Sequence, residues 1–336
     1  MKTKPHSQGF TSVLLAMLGN LFITIIKFVG FLLSGSSSLF SEAIHSFADT
    51  MNQSLLMVGI KRSAKAADEK FAYGYGQERF LWALISAVGI FFLGAGVTFV
   101  YGINSLKHPE AIHVSPIIFY ILIASFIIET ITFYAAVKEL KRNNKKVPFL
   151  KLLKVGDPTT IAVIYEDGVA LIGVAIAFVG IYLTERTGQH YWDAMGSILI
   201  GFMLAMVAVI LINKNRSFLI KRSIPDEVKR KIIKMLEIDP AVEKVIDFKS
   251  SVIDIDCYHI KCEIEFNGSV LLDKLNHGHS FKEEFEEVNG DFEEFKKLSF
   301  RYVDRIPRLI GKRIDEIEKK IQAEFPNVVH IDIELN

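Results

Sequence analysis

The sequence is poor in cysteine: its 336 residues include only Cys257 and Cys262, both in the C-terminal third. Two thiols are too few for a disulfide framework, and their spacing fits no common zinc-knuckle pattern. This scarcity excludes a small, disulfide-stapled secreted scaffold. It favours a reduced, cytosolic setting for the part of the chain that carries the two cysteines.

Two other patterns are missing. The N-terminal stretch MKTKPHSQGF is short and polar, and it resembles neither a cleavable signal peptide nor an Arg- and Ser-rich transit sequence. No H-E-x-x-H run is present, which argues against a membrane-bound metallohydrolase. The net charge of +1 averages two unlike parts, because charge is scarce up to about residue 214 and dense beyond it.

Long apolar runs are abundant. A helix needs about 20 mostly apolar residues to cross a bilayer, and six stretches reach that length, near 11–34, 38–60, 80–103, 114–137, 158–184 and 192–213. A soluble helical domain would need a polar stripe on most helices, and VGIFFLGAGVTFV has none. We predict an all-α six-helix transmembrane bundle over residues 1–216, followed by a second domain over residues 217–336.

Lysine and arginine lie mostly on one side of this predicted bundle. The N-terminal segment, the connections after the second and fourth runs and the segment after the sixth run contain most of them, while the opposite side has only Lys107 and Arg186. Positive residues collect on the cytosolic side of membrane proteins. Both termini are therefore predicted to face the cytosol.

The C-terminal segment has the pattern of a small soluble α+β domain. An amphipathic helix after Pro225 precedes two strands, VEKVIDFKSSVI and CYHIKCEIEF. A charged helical insert near 268–298, a further amphipathic helix over 299–324 and a last strand, VVHIDIEL, complete the segment. The order α-β-β-α-β predicts a ferredoxin-like domain with helices on one face of a small sheet.

Ionisable residues interrupt the second apolar run, SEAIHSFADTMNQ. His45 and Asp49 are four residues apart and so share one helical face, with Glu42 one turn earlier on the same face. Charges inside a membrane are costly and usually functional. An imidazole and a carboxylate one turn apart can form half of a tetrahedral metal site, or they can join two helices as a hydrogen-bonded polar pair.

The fifth run contains two adjacent acids, Glu166 and Asp167, in an otherwise apolar stretch. Two neighbouring carboxylates in lipid cannot both stay ionised and unpaired, so a bound divalent cation or protonation would relieve them. Glu129 adds a buried acid to the fourth run, and Lys27 adds a cation to the first. Lys27 is expected to pair with an acid or to extend towards the interface.

These motifs resemble a known transporter family. GNLFITIIKFVGFLLSGSSSLFSEAIHSFADT, AYGYGQERF, DGVALIGVAIAF and YWDAMGSILIG look like the signature stretches of the cation diffusion facilitator family, in the same order and setting. The resemblance covers nearly the whole chain. The helical insert and the Glu-Asp pair are similar to the branch that contains the animal mitochondrial zinc transporter. The resemblance implies a homodimer that exchanges a divalent metal for protons.

The transport site implied by the resemblance has two residues on the second helix and two on the fifth, each pair spaced four apart. His45 and Asp49 match the first pair, and Asp167 matches one member of the second. Its partner position falls on Val163, which cannot bind metal.

Three groups could supply the missing ligand. Glu166 is adjacent to Asp167 but turned by roughly 100°, Glu129 would have to project from the fourth helix, and a water could fill the position. One histidine with two or three carboxylates suits Zn²⁺, although Mn²⁺, Fe²⁺, Co²⁺ and Cd²⁺ are not excluded.

A second site is implied in the tail. VHIDIE matches a family segment whose His and Asp bind regulatory metal, which gives His330 and Asp332, with a strand partner near Cys262. These three residues could form a partial metal site or be ordinary strand-edge residues. His277 and His279 in NHGHS could chelate a metal or be simply solvated.

The sequence thus predicts a secondary transporter that exports a divalent metal, zinc foremost, from the cytosol in exchange for protons. A transport-inactive metal-sensing or scaffold protein of the same fold is the alternative, motivated by Val163 and the incomplete tail site. Expected partners are a second copy of the chain and the lipid bilayer, with no nucleic acid. The absence of a transit-type leader favours a bacterial inner membrane.

Overall fold

The computed structural model describes residues 7–109, 112–142, 158–254, 257–275 and 281–336. The chain divides into two compact units, Met1–Ser217 and Phe218–Asn336. The first unit is helical, and the second combines helices with a small sheet.

The described part of the first unit consists mainly of helices. The third apolar run is a single long helix in which a π-helical stretch, Ile90–Gly96, joins two α-helical parts. The α-helices are α1 Ser7–Ser34, α2 Ser37–Ser63, α3 Glu78–Gly89, α4 Val97–Lys107, α5 Pro116–Arg142, α6 Pro158–Thr187 and α7 Tyr191–Leu219.

Five helices in the described part of the chain are long and apolar enough to cross a membrane: Met17–Ser34, Glu78–Lys107, Pro116–Lys138, Val163–Thr187 and Tyr191–Leu219. Five of the six predicted membrane-spanning helices are therefore confirmed. Helix α2 is long enough but falls short in apolar content, because serines, Glu42, His45, Asp49 and Asn52 interrupt it.

The exposure pattern of the first unit is the reverse of that of a soluble protein. Large apolar side chains point outwards, with Leu32 72% and Tyr120 70% exposed, whereas Lys27, Glu42 and Asp193 are fully buried. Water would penalise such an apolar exterior, and a bilayer would not. The polar face of α2 is therefore turned into the bundle.

Asp193, at the start of α7, caps the N-terminus of α2. Its carboxylate accepts hydrogen bonds from the Ser36 hydroxyl at 2.7 Å, from the backbone N–H of Ser37 at 2.5 Å and of Ser38 at 3.2 Å, and from the Ser38 hydroxyl. The first N–H groups of a helix lack partners within the helix and favour a negative charge. This contact fixes α2 to α7 at one end of the bundle.

The second unit is built on three strands, β1 Val242–Asp254, β2 Cys257–Phe266 and β3 Val328–Leu335, in the order β1-β2-β3. β1 and β2 are antiparallel, and β2 and β3 are parallel. Helix α8, Asp226–Ile238, packs on β1. The prediction of helices with a small sheet is confirmed.

The predicted insert begins with two short helices, α9 Gly268–Leu275 and α10 Phe281–Val288. The next helix, α11, runs without interruption from Phe292 to Glu324, although it contains Pro307. The predicted boundary between residues 298 and 299 was therefore wrong. Proline removes one backbone donor, and a helix this long tolerates the loss.

Candidate metal centre

His45 and Asp49 meet on the buried face of α2. The distance from His45 Nε2 to Asp49 Oδ2 is 3.2 Å, and the imidazole is almost completely buried. Neither ring nitrogen of His45 makes a well-directed hydrogen bond to any described residue. A buried imidazole without such a bond keeps its lone pair available for a metal.

Glu166 of α6 lies against the next turn of α2. Both of its carboxylate oxygens accept hydrogen bonds from the Asn52 amide nitrogen, at 2.9 and 3.0 Å. The Ser86 hydroxyl of α3 donates to the Asn52 oxygen at 2.7 Å. Glu166 is thus held one turn beyond Asp49 on the α2 side of the bundle.

Asp167 shares this polar interior. The charges of Asp49 and His45 act on Asp167, and those of Asp49 and Asp167 act on Glu166. Within the described ranges, however, no three His, Cys, Asp or Glu side chains are close enough to coordinate one ion together. The structure brings His45 and Asp49 into contact and leaves the α6 acids nearby but not in a common coordination sphere.

Glu129, predicted as one possible fourth ligand, has another partner. Its Oε1 accepts a hydrogen bond from Lys27 Nζ at 2.7 Å, and Lys27 also donates to Glu42 Oε2 at 2.7 Å. In this structure one Glu129 oxygen is thus held in a buried ion pair with Lys27, and a role of Glu129 as the fourth ligand stays a prediction. Of the two alternatives expected for Lys27, pairing with an acid and extension towards the interface, the structure shows the pairing.

Val163 is 37% exposed, and its side chain has no atom that can bind a metal. Of the candidate fourth ligands proposed from the sequence, Glu166 contacts α2, through Asn52.

Sequence reasoning missed two polar residues around the centre, Asn52 and Ser86. Both side chains are buried, Asn52 in α2 and Ser86 in α3. A lone amide in such a setting needs partners, and that rule could have drawn attention to Asn52. Its actual partner, however, depends on how α2 and α6 pack.

The predicted tail set of Cys262, His330 and Asp332 is not brought together. In the β2–β3 register, His259 lies beside His330 and Lys261 beside Asp332, whereas Cys262 lies beside Ile333. Side chains alternate between the faces of a strand, so Cys262 faces away from both other residues. The prediction of one site from these three residues was wrong for this reason.

The remaining tail residues have ordinary partners. His259 Nε2 is 2.8 Å from Asp332 Oδ2 on the exposed face of the sheet. Burial, and to a lesser extent the charge of Glu318, raise the pKa of the Cys262 thiol to about 12, so the thiolate that binds metals is disfavoured. His277 and His279 lie outside the described residues.

Comparisons with known proteins place this geometry in context. The chain matches the cation efflux transmembrane domain over residues 13–220. It is 35% identical to metal tolerance protein C4 of Arabidopsis thaliana over 98% of this chain and 73% of the relative. It is 34% identical to the human proton-coupled zinc antiporter SLC30A9, mitochondrial, over 99% of this chain and 61% of the relative.

A bacterial relative is more distant. The manganese efflux system protein MneP of Bacillus subtilis is 20% identical over 64% of this chain. The human relative is mitochondrial by name, and this leaves the predicted bacterial inner membrane without support.

The cation efflux domain covers more than half of the chain, and five helices are apolar enough to cross a membrane. The protein is therefore a multi-pass integral membrane protein. Since relatives at 35% and 34% identity also span nearly the whole sequence, the chain belongs to the cation diffusion facilitator family, whose members are transporters and not enzymes.

Proposed function

We propose that this protein exports a divalent metal, zinc foremost, from the cytosol in exchange for protons. The observation that carries the proposal is the pair of buried His45 and half-buried Asp49, 3.2 Å apart on α2, next to the adjacent acids Glu166 and Asp167 of α6. Buried imidazole and carboxylate groups inside an apolar bundle are costly unless they serve an ion. A dication shared between α2 and α6 would offset that cost.

In this proposal α2 is the sixth spanning helix. Its polar residues lower its apolar content, but those residues face the bundle interior, where neighbouring helices cover them. Five apolar helices and one polar helix at the centre form a six-helix bundle over residues 1–216. An even number of spans also leaves both termini on one side, in agreement with the distribution of lysine and arginine.

The proposed exchange follows from competition between metal and protons. Metal binding requires a neutral imidazole and ionised carboxylates, so loading releases protons and protonation expels the metal. If His45, Asp49 and Asp167 open to one side of the membrane at a time, this competition becomes coupled antiport. Glu166 completes the set by leaving Asn52 and turning towards the ion.

The ligand types favour zinc. One imidazole with two or three carboxylates suits Zn²⁺, and a site rich in oxygen also accepts Mn²⁺ or Fe²⁺. The human relative carries zinc and proton coupling in its name, and the Bacillus relative carries manganese. We propose zinc as the main substrate, with a homodimer in the lipid bilayer as the working unit.

The test is transport by the purified full-length protein in liposomes that contain a pH-sensitive dye. An inward zinc gradient is expected to produce both zinc uptake and a change in lumenal pH. Asp49→Ala should abolish both signals, whereas Asp304→Ala, at an exposed acid of α11, should leave them unchanged.

Wild-type flux from Asp49→Ala would contradict the proposed site. Zinc binding without any flux in the wild-type protein would instead favour the alternative of a transport-inactive metal sensor. That alternative draws on the absence of a preformed set of three ligands among the described residues.

A further inference from the structure

A second cluster of ionisable side chains lies in the same unit, apart from the His45–Asp49 pair. Lys27 of α1 donates to Glu42 of α2 and to Glu129 of α5, each at 2.7 Å. Lys27 and Glu42 are completely buried, and Glu129 is 8% exposed. We name this cluster the Lys27 triad. It ties three helices together through one ammonium group.

The triad contains two carboxylate oxygens that accept no hydrogen bond from any described residue. Glu42 Oε1 and Glu129 Oε2 are buried, and neither has a hydrogen-bond partner among the described residues. Glu42 Oε1 is directed at α6, where a side chain on Gly173 would overlap it. Two carboxylates that converge on one cation, each with a second oxygen available, form an arrangement that also suits a hard or borderline dication.

We propose that Lys27 is a tethered counter-cation that prevents Glu42 and Glu129 from binding the transported metal. This inference rests on the proposed transport function. Without the ammonium, two buried carboxylates would face each other and would require another positive charge. Lys27 supplies that charge permanently because it is attached to α1.

The position of Glu42 explains why such protection is needed. Glu42 lies one turn before His45 on the same face of α2, so a metal at His45 is within one helical turn of a second acidic site. A transport site must bind its ion and then release it. A neighbouring pair of unprotected carboxylates would capture the ion and slow its release.

The test compares zinc binding by full-length variants. Equilibrium dialysis with zinc chloride should show one additional zinc ion per chain in Lys27→Met relative to the wild-type protein, and zinc flux in liposomes should fall at least tenfold. Lys27→Arg retains the charge and should bind the wild-type number of zinc ions. Lys27→Met/Glu129→Gln removes one of the two carboxylates and should return binding to the wild-type number.

Lys27→Met that is folded but binds no additional zinc would overturn the inference. Lys27→Gln keeps an amide donor for one carboxylate and provides a milder variant. If the Lys27→Met protein folds only in the presence of zinc, the result would support the inference, because zinc would then replace the ammonium group. If Lys27→Met and Lys27→Gln are both unfolded, whether or not zinc is present, the inference fails. Failure of the proposed function is a separate result: it would appear as absent flux in the wild-type protein.

Discussion

Asn52 presents its amide nitrogen to both carboxylate oxygens of Glu166, at 2.9 and 3.0 Å. The Ser86 hydroxyl donates to the Asn52 oxygen and so fixes which end of the amide faces Glu166. Glu166 is therefore held away from the His45–Asp49 pair by a contact between α2 and α6 that metal binding would have to break.

Removal of this contact should tighten metal binding. We expect Asn52→Ala to increase zinc affinity about tenfold. In the wild-type protein, zinc binding must break the hydrogen bond between Asn52 and Glu166, which opposes binding by on the order of 1.4 kcal/mol, and the variant lacks this bond. Glu166→Gln should weaken binding in the wild-type background and in the Asn52→Ala background. Isothermal titration of the purified protein measures both effects. Equal affinities of Glu166→Gln and wild type would exclude Glu166 as the fourth ligand.

The Asp193 cap predicts a large stability effect far from the metal centre. Asp193→Ala leaves the donors of Ser36, Ser37 and Ser38 without their carboxylate, and we expect a loss of about 3–5 kcal/mol in the first unit. For a unit of this size the unfolding temperature should drop by about 10 °C.

Thermal unfolding in detergent checks the Asp193 prediction. Ser38→Ala removes one hydroxyl donor and keeps the backbone contacts, so it should cause a much smaller shift. An Asp193→Ala protein as stable as Ser38→Ala would show that the cap contributes little.

The two cysteines should differ in reactivity. Burial, with a contribution from Asp254, raises the pKa of Cys257, and stronger burial raises that of Cys262 to about 12. Because the thiolate is the reactive form, we expect Cys262 to react with N-ethylmaleimide at least tenfold more slowly than the partly exposed Cys257. Mass spectrometry at successive times measures the two rates, and similar rates in the folded protein would contradict the assigned strand register.

An ion pair in the second unit predicts a pH dependence. Burial alone would raise the pKa of Asp239, but the hydrogen bond from Arg313 and the N–H of Ala241 outweigh it and hold this pKa below its ordinary value. Arg313 and Asp239 are in direct contact, and both are largely buried. A carboxyl group with a lowered pKa stabilises the fold above its unfolded pKa of about 3.9, and this stabilisation is lost as the pH falls through the folded value.

Asp239→Asn should therefore destabilise the protein at neutral pH by roughly 1–3 kcal/mol. The difference from wild type should shrink as the pH falls below about 4. Denaturant unfolding at several pH values measures it. The same difference at every pH would assign the effect to packing instead of charge.

The sequence was sufficient for the features that depend on composition and local spacing. Apolar runs predicted six spanning helices, of which five are found in the described residues. The four-residue spacing placed His45 and Asp49 on one helical face, and alternation predicted the strands. A charge in an apolar run also indicated that Lys27 would pair with an acid or extend towards the interface, and the structure shows the pairing. Each of these inferences needs only neighbouring residues.

Features that depend on packing between distant segments were not predictable in the same way. Lys27 meets Glu129, which is 102 residues away, and this pairing holds one Glu129 oxygen in a buried ion pair. The β2–β3 register decides that Cys262 and His330 face opposite sides, and no local pattern contains that register. The separation between Asp167 and the His45–Asp49 pair likewise depends on how α6 lies against α2.

We propose that His45, Asp49 and Asp167 share one dication. X-ray absorption spectroscopy of zinc bound to the full-length protein tests it directly. We expect one imidazole and otherwise oxygen ligands at about 2.0–2.2 Å, with the imidazole signal lost in His45→Gln and the oxygen shell altered in Asp167→Asn. Sulfur ligands, or a spectrum that both substitutions leave unchanged, would contradict the claim.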